Sequence, residues 1–297
     1  MADARDILPF VADNQGRNLC LAVVDRYVAI ASRFSPETAI ASVQPCGNGL
    51  INDTYLVSRT KPAASFILQR LNTQVFQKPE RVMNNLQVFT THARDRLRSY
   101  PLGDRRWEVP QVLSAGERDY WIDEEGNFWR ALSFIENTRS LDSVTDLTCA
   151  REVGLALGTF HALISDLDVA QLDDTLAGYH VTPTYLQQYD DAIAARPVKS
   201  SEMTQFCQQC VGDRRDWASV LEDAKARGEL HLRPTHGDPK VNNILFDIDS
   251  QRAVSLIDLD TVKPGLVHYD IGDCLRSGCN PLGSSTKAFD AVEFRLD

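Results

Sequence analysis

The stretch HGDPKVNNILFD, residues 236–247, constrains this chain more than any other part of its sequence. It places a His, a Gly, an Asp, a Lys and two Asn within eight residues and then turns apolar. This pattern predicts a loop that feeds a short strand. A surface turn is one interpretation, since Gly-Asp-Pro is common turn chemistry; a catalytic loop is the other.

A second acidic motif favours the interpretation of residues 236–247 as a catalytic loop. Asn243 follows Asp238 by five residues, and Asp258 in SLIDLD lies fifteen residues further on. Phosphoryl transfer from ATP needs a carboxylate beside the attacking hydroxyl and oxygen ligands that hold Mg²⁺ on the phosphates. The loop can supply the base and one metal ligand, and the Asp at the end of the next apolar strand can supply the second.

Composition narrows the class of protein. The chain has 297 residues, of which 43% are hydrophobic, and it is long enough for two lobes. A net charge of -10 argues against nucleic acid or anionic lipid as the main partner. No apolar run approaches the roughly 18 residues of a membrane span. The first ten residues, MADARDILPF, contain no apolar run typical of a secretory signal, so we expect a cytoplasmic protein.

The seven cysteines are an odd, scattered set, which predicts reduced thiols. Cys207 and Cys210 form a CxxC, but no second pair with a partnering His stands at zinc-site spacing. We therefore interpret them as two thiols on one helix.

Hydrophobic periodicity predicts a sheet-rich first half and a helical second half. An opening helix (18–34) precedes three strand-like runs (39–45, 53–59 and 65–71), the first two joined as a hairpin, and an amphipathic helix from about 78 to 98. The runs VPQVLSA, DYWID and NFWRALSFI complete a five-stranded pattern. Three helical runs, beginning TDLTCAREV, TPTYLQQY and EMTQFCQQC, follow residue 143.

The predicted fold is therefore α+β, with an antiparallel sheet lobe followed by a mainly helical lobe. We place the nucleotide-binding lobe at residues 1–135 and the catalytic and substrate lobe at residues 136–297.

The segments HGDPKVNN, LIDLD and YDIGD together resemble the aminoglycoside phosphotransferase family, relatives of the protein kinases. The loop resembles the kinase HRDxxxxN, and IDLD takes the place of DFG. GNGLINDTYLV, FILQRLN, PERVMNNL and IDLDTVKPGLVHYDIGDCLR are similar to one branch, the N-acetylhexosamine 1-kinases. The resemblance runs from about residue 44 to residue 297. It implies a protein-kinase-like two-lobed fold, ATP and Mg²⁺ as cofactors, and a sugar phosphorylated at its anomeric hydroxyl.

The resemblance also implies roles for the residues of the catalytic block. Asp238 would be the base on the sugar hydroxyl, and Asn243 and Asp258 would hold Mg²⁺. Lys240 would contact the γ-phosphate, with a solvated lysine as the alternative. Asp260 would either assist the metal or pack against the loop backbone.

Two further residues of the block are expected to support the loop. His236 would orient it by hydrogen bonding. Asp270, in YDIGD, would brace it, with contact to the substrate as the alternative.

Phosphate binding is expected from the first strands. Gly47 and Gly49 could let backbone amides approach the phosphates, although a tight turn explains two glycines equally well. Most kinases carry a Lys on the third strand, where this chain offers Gln69 and Arg70. Glu80 could pair with Arg70, or simply complement a helix N-terminus.

Adenine is expected at the hinge LSFIEN, where Phe134 and Ile135 offer backbone groups. A plain core role for Phe134 is the competing interpretation.

Three alternatives stay open on sequence alone. The same fold could act on an aminoglycoside, choline or homoserine, since fold does not determine substrate. The chain could also be a kinase-like protein without activity, because members of the branch continue for several tens of residues beyond AVEFRLD and use that segment to close the sugar pocket. A protein kinase is disfavoured, since no APE segment follows IDLD.

Overall fold

The computed structural model describes residues 21–47, 49, 51–100, 102–196, 199–284, 286 and 291–295. In chain order the described strands are β1 (Ile40–Pro45), β2 (Asp53–Arg59), β3 (Phe66–Leu71), β4 (Val112–Leu113), β5 (Trp121–Ile122), β6 (Phe128–Ser133), β7 (Thr138–Arg139), β8 (Arg233–Thr235), β9 (Ile244–Asp247), β10 (Ala253–Leu256) and β11 (Lys263–Gly265). The α-helices are α1 (Leu21–Arg33), α2 (Pro79–Ser99), α3 (Leu147–Leu163), α4 (Thr182–Ala195), α5 (Glu202–Arg214), α6 (Val220–Ala226) and α7 (Val267–Gly278).

The first half of the chain forms an antiparallel sheet in the order β1-β2-β3-β6-β4, with β5 also paired to β6. The predicted β1–β2 hairpin is confirmed by the pairing of Val43 with Val57. The sheet has six strands where the sequence predicted five. The two-residue strands β4 and β5 both pair with β6, β4 along its second half and β5 along its first. β4 and β5 therefore share one strand position beside β6.

Two apolar clusters cover the two faces of this sheet. Ile30 and Phe34, on and just after α1, pack with sheet residues such as Phe66 and Leu68 on the outer face. The inner face joins a larger cluster that includes side chains from α2, α3, β9 and β10. Residues 18–20 of the predicted opening helix lie outside the described residues. The inner cluster holds the sheet against the second half of the chain.

The second half contains the predicted helices, with one difference. The run that begins at Glu202 was expected to be one helix, but it breaks at Arg214 (φ −114°, ψ 4°) before a short 3-10 turn and α6. Cys207 and Cys210 both lie on α5, as predicted. Within the described part of the chain, no helix is long and apolar enough to span a membrane.

Two small sheets position the candidate site. β9 pairs with β10 and with β7, and β8 pairs with β11. The chain passes from the large sheet to these strands through residues 134–137, between β6 and β7. A boundary after Ile135 remains a prediction.

Candidate active site

The loop that follows β8 is braced by a buried carboxylate on α7. Asp270 is fully buried, and its two oxygens accept hydrogen bonds from the backbone N–H groups of His236 (2.7 Å) and Gly237 (2.8 Å). His161 Nε2 lies 3.1 Å from Asp270 Oδ2. This confirms the bracing role predicted for Asp270, because both of its oxygens are engaged by the loop backbone.

His236 orients the loop from within the core. Its ring is fully buried, Nδ1 accepts from the Asp238 N–H (3.2 Å), and Nε2 lies 3.0 Å from the Ile257 carbonyl oxygen. Since Nδ1 is an acceptor, the ring proton is on Nε2, which donates to Ile257. Burial lowers the pKa of His236, so the ring stays neutral. The expected supporting role is confirmed.

Gly237 is required by the loop geometry. Its φ is +86°, and a Cβ at this position would lie 2.8 Å from the Thr261 carbonyl oxygen. Thr261 Oγ1 donates to the His236 carbonyl at 2.7 Å, so the two segments are in direct contact. Glycine alone fits both the left-handed backbone and this close approach.

The side chain of Asp238 is held on one of its two oxygens. Asp238 Oδ2 accepts from Lys240 Nζ (2.6 Å) and from Asn243 Nδ2 (3.2 Å). No described residue hydrogen-bonds to Oδ1. Asn243 Nδ2 also donates to the Asp238 backbone carbonyl at 2.8 Å, so the amide oxygen of Asn243 is turned away from that contact. The loop therefore presents one carboxylate oxygen and one amide oxygen.

Asp258 follows β10 in a left-handed backbone conformation (φ 64°, ψ 58°) at the start of a 3-10 helix, Leu259–Thr261. Its surroundings raise its pKa to about 7, through desolvation and through the charges of Asp260 and Asp238. The negative charges of Asp260 and Asp238 disfavour the charged form of the Asp258 carboxyl group. With two negative charges nearby, the Asp258 carboxylate is suited to bind a cation.

Asp260 makes contacts that differ from both expectations. It is buried, forms an ion pair with Arg130 of β6, and accepts a hydrogen bond from Asn52 Nδ2 (2.5 Å). Both partners come from the first half of the chain. Asp260 therefore ties the Asp258 segment to the large sheet.

Gln69 and Arg70 lie on opposite faces of β3, because successive strand residues point to opposite sides. Gln69 is on the inner face, where Oε1 accepts from Arg130 Nη2 at 2.8 Å. Arg70 is on the outer face and pairs with Asp53, and not with Glu80. Arg70 therefore lies on the face of the sheet opposite Gln69, and a contact between Arg70 and the nucleotide remains a prediction.

The remaining nucleotide-side residues are placed as follows. Gly47 has φ +76° in the turn between β1 and β2, and Gly49 lies in the same turn; residues 48 and 50 are outside the described residues. Phe134 is half-buried, and Ile135 is buried with its carbonyl accepting from Thr138 Oγ1 at 2.7 Å. Phosphate and adenine contacts at these positions remain proposals.

A cavity of about 450 Å³ lies between the start of α2 and the segment that leads into α4. Its wall includes Tyr179, whose ring centroid is 4.0 Å from that of His180, and His180 Nε2 lies 2.5 Å from the Gly237 carbonyl oxygen. Burial, followed by the charges of Asp238 and Asp273, raises the pKa of Tyr179. The cavity therefore reaches the neighbourhood of the catalytic loop.

Sequence reasoning missed Arg130 and Tyr179. The signal for Arg130 was a charged residue inside the apolar run FWRALS, since buried charges are rare unless paired. Tyr179 carried no comparable signal, because its place beside the loop depends on contacts between distant segments.

The family model described as the phosphotransferase enzyme family, APH, matches residues 42–289. The chain belongs to this family. Two solved structures of the aminoglycoside phosphotransferase APH(4)-Ia resemble this chain. A thermostable mutant has a TM-score of 0.53 at 13% identity, over 83% of this chain and 75% of that one. APH(4)-Ia itself gives 0.51 and 12%, over 85% and 76%.

An ethanolamine kinase from Plasmodium vivax gives a TM-score of 0.47 at 14% identity. The match covers 80% of this chain but only 60% of the ethanolamine kinase chain. At identities of 12–13% the two APH(4)-Ia structures establish the fold alone, and they confirm the α+β kinase-like architecture predicted from the sequence.

Proposed function

We propose that this phosphotransferase is an ATP- and Mg²⁺-dependent kinase that phosphorylates a hydroxyl of a small molecule. The observation that carries the proposal is the arrangement at Asp238. Lys240 and Asn243 hold Oδ2, whereas Oδ1 lacks a hydrogen-bond partner among the described residues. A carboxylate fixed on one side and open on the other is suited to accept a proton from an acceptor hydroxyl.

The residues present fit a Mg²⁺ ion bound together with phosphates. Asp258 and the amide oxygen of Asn243 are hard oxygen donors, and the negative charges of Asp260 and Asp238 act on Asp258 more strongly than the cations Lys240 and Arg130. In the described part of the chain no group of three or more His, Cys, Asp or Glu is arranged to hold a metal. This agrees with a phosphate-shared ion, which uses one or two protein ligands. When bound, the ion would neutralise charge on the transferring phosphate.

Each of these residues has a separate role in the proposed reaction. Asp238 takes the proton of the acceptor hydroxyl while the hydroxyl oxygen bonds to the γ-phosphorus. The bond from that phosphorus to the bridging oxygen breaks, and ADP leaves with the electron pair. Lys240, already 2.6 Å from Asp238, is placed to donate to the phosphoryl oxygens. The nucleotide is proposed to lie against five residues: Gly47, Gly49, Gln69, Phe134 and Ile135.

We propose an N-acetylhexosamine as the acceptor, phosphorylated at the anomeric hydroxyl. The branch-like segments of the sequence support this choice, and so does the cavity beside Tyr179. The cavity is lined by two tyrosines, two cations (Lys78 and Arg81) and one carboxylate, Asp174. A polycationic aminoglycoside would be expected to meet an excess of acids, whereas a neutral sugar suits tyrosine rings and mixed polar groups.

An ATP-consumption screen tests the function. N-acetylglucosamine, N-acetylgalactosamine, hygromycin B, choline, ethanolamine and homoserine would be offered in turn, with Asp238→Asn as the inactive reference. Phosphorus NMR of the product should show a sugar 1-phosphate. Turnover confined to an amine-bearing acceptor would overturn the sugar assignment, and no turnover with any acceptor would count against the kinase itself.

The acceptor cavity has its own test. Tyr179→Ala should raise the KM for the sugar while leaving the KM for ATP near its wild-type value. Tyr100→Ala, at a 62% exposed tyrosine outside the cavity lining, is the matched control and should change neither. An unchanged sugar KM in Tyr179→Ala would place the acceptor elsewhere.

A further inference from the structure

Arg130 is a charged residue in the buried part of β6. It is 1% exposed, and its neighbours Trp129 and Ala131 are also buried. Burying a guanidinium is costly unless it is paired, and even a paired one often adds little stability. Its position therefore calls for a reason other than packing.

The guanidinium stands at the centre of a chain of polar contacts on the inner face of the sheet. Its Nε and Nη2 donate to Gln69 Oε1 at 3.0 Å and 2.8 Å, and Gln69 Nε2 donates to Thr54 Oγ1 at 3.1 Å. Nη2 also forms the ion pair with Asp260. These contacts link three neighbouring strands, β2, β3 and β6, to the segment that carries Asp258.

A second contact supports Asp260 from the same side. Asn52 Nδ2 donates to Asp260 Oδ2, and Asn52 Oδ1 accepts from the Asn72 N–H at 2.9 Å. Asp260 is therefore held by two groups from the first half of the chain. It lies two residues after Asp258, inside the 3-10 helix Leu259–Thr261 for which Asp258 is the N-cap residue.

The charge of Arg130 does not act directly on the nucleotide. Asp260 neutralises it, and almost none of its surface is exposed. Its Nη1 is buried without a hydrogen-bond partner among the described residues, a cost that indicates a geometric role.

We propose that Arg130 is a positioning residue for phosphoryl transfer. Through Asp260, Arg130 fixes the position of Asp258 relative to the large sheet, which is proposed to bind the nucleotide. Neither Gln69 nor Arg70 can do this alone. The inference rests on the proposed function, because it assigns Asp258 to the metal.

The test separates folding from metal positioning. Arg130→Met leaves the buried Asp260 without a neutralising cation, although Asn52 still donates to it, and should lower the urea midpoint of unfolding. The double variant Arg130→Met/Asp260→Leu removes both charges and should recover stability, since buried pairs tolerate apolar replacement. Its affinity for Mg²⁺ with a non-hydrolysable ATP analogue, measured by calorimetry, should still be reduced about 10–100-fold, as when supporting contacts of metal ligands are lost.

Two milder variants keep the inference testable if Arg130→Met fails to fold. Asn52→Ala and Gln69→Ala should each weaken metal–nucleotide binding with smaller losses of stability. Arg105→Met is the control, since Arg105 pairs with Glu152 of α3, which contacts β10 at Ala253, the end of that strand farther from Asp258; it should lower stability without changing that affinity.

The outcomes are distinguishable. A stable double variant with wild-type metal–nucleotide affinity would overturn the role of Arg130 while leaving the kinase proposal intact. A wild-type protein that binds no nucleotide with Mg²⁺ would overturn the proposed function and this inference with it.

Discussion

Replacing Gly237 with alanine tests whether close packing around the catalytic loop holds Asp238 in place. The backbone of Gly237 is left-handed (φ +86°), and an added Cβ would meet the carbonyl oxygen of Thr261 at 2.8 Å and its Cβ at 2.9 Å. The two nearest atoms are a backbone oxygen and a Cβ fixed to the backbone, so neither can rotate away as the end of a side chain would. Either the loop or the 3-10 helix that contains Thr261 must move.

The expected magnitude has two parts. A left-handed conformation costs a non-glycine residue roughly 1–2 kcal/mol. Relief of the contact with Thr261 adds about 1–3 kcal/mol, as for overpacked positions elsewhere. The free energy of unfolding should therefore fall by about 2–5 kcal/mol, and a loop displaced by about 1 Å should lower kcat on the order of 100-fold.

Gly228 provides a matched control within the same chain. Its φ is +76°, but no atom lies within 4 Å of the Cβ that alanine would add. Gly228→Ala should thus show only the backbone cost, about 1–2 kcal/mol, with kcat unchanged. Urea unfolding and steady-state kinetics of both variants give the comparison. Equal losses of stability, or a wild-type kcat in Gly237→Ala, would refute the reasoning.

Three further outcomes are expected. Asp238→Asn should keep nucleotide binding but lose about 10²–10⁴ in kcat, because the hydroxyl proton has no acceptor; full turnover would contradict its role as base. Asp258→Ala and Asn243→Ala should both weaken Mg²⁺ binding in calorimetry with a non-hydrolysable ATP analogue, Asp258 more strongly because it carries a full charge. The unfolded chain should protonate His236 before the folded one does, since burial lowers the pKa of His236 from 6.5, so stability should decline as pH falls below about 6.5. His236→Gln should flatten that dependence in urea titrations, and His231→Gln, at an exposed site, should not.

The sequence predicted the candidate residues of the loop and most of the elements. Asp238, Asn243 and Asp258 were proposed from their spacing and from the family resemblance, because a base and metal ligands can follow one another along a loop and a short strand, and their roles remain predictions. The strands β1 to β3 and helix α2 were predicted within a residue or two, since their apolar periods are regular. The brace from Asp270 was expected from the resemblance, and its two hydrogen bonds were found.

How these parts are held together depends on contacts between segments that are distant in the sequence. Because side chains alternate along a strand, Gln69 lies on the inner face of the sheet and Arg70 on the outer face. The sequence does not say which of the two faces is the inner one. The partner of Arg130 is Asp260, 130 residues later in the chain, and no local pattern connects them. Local signals report spacing and period, whereas an ion pair between two halves of a fold depends on how the sheet packs against the rest of the protein.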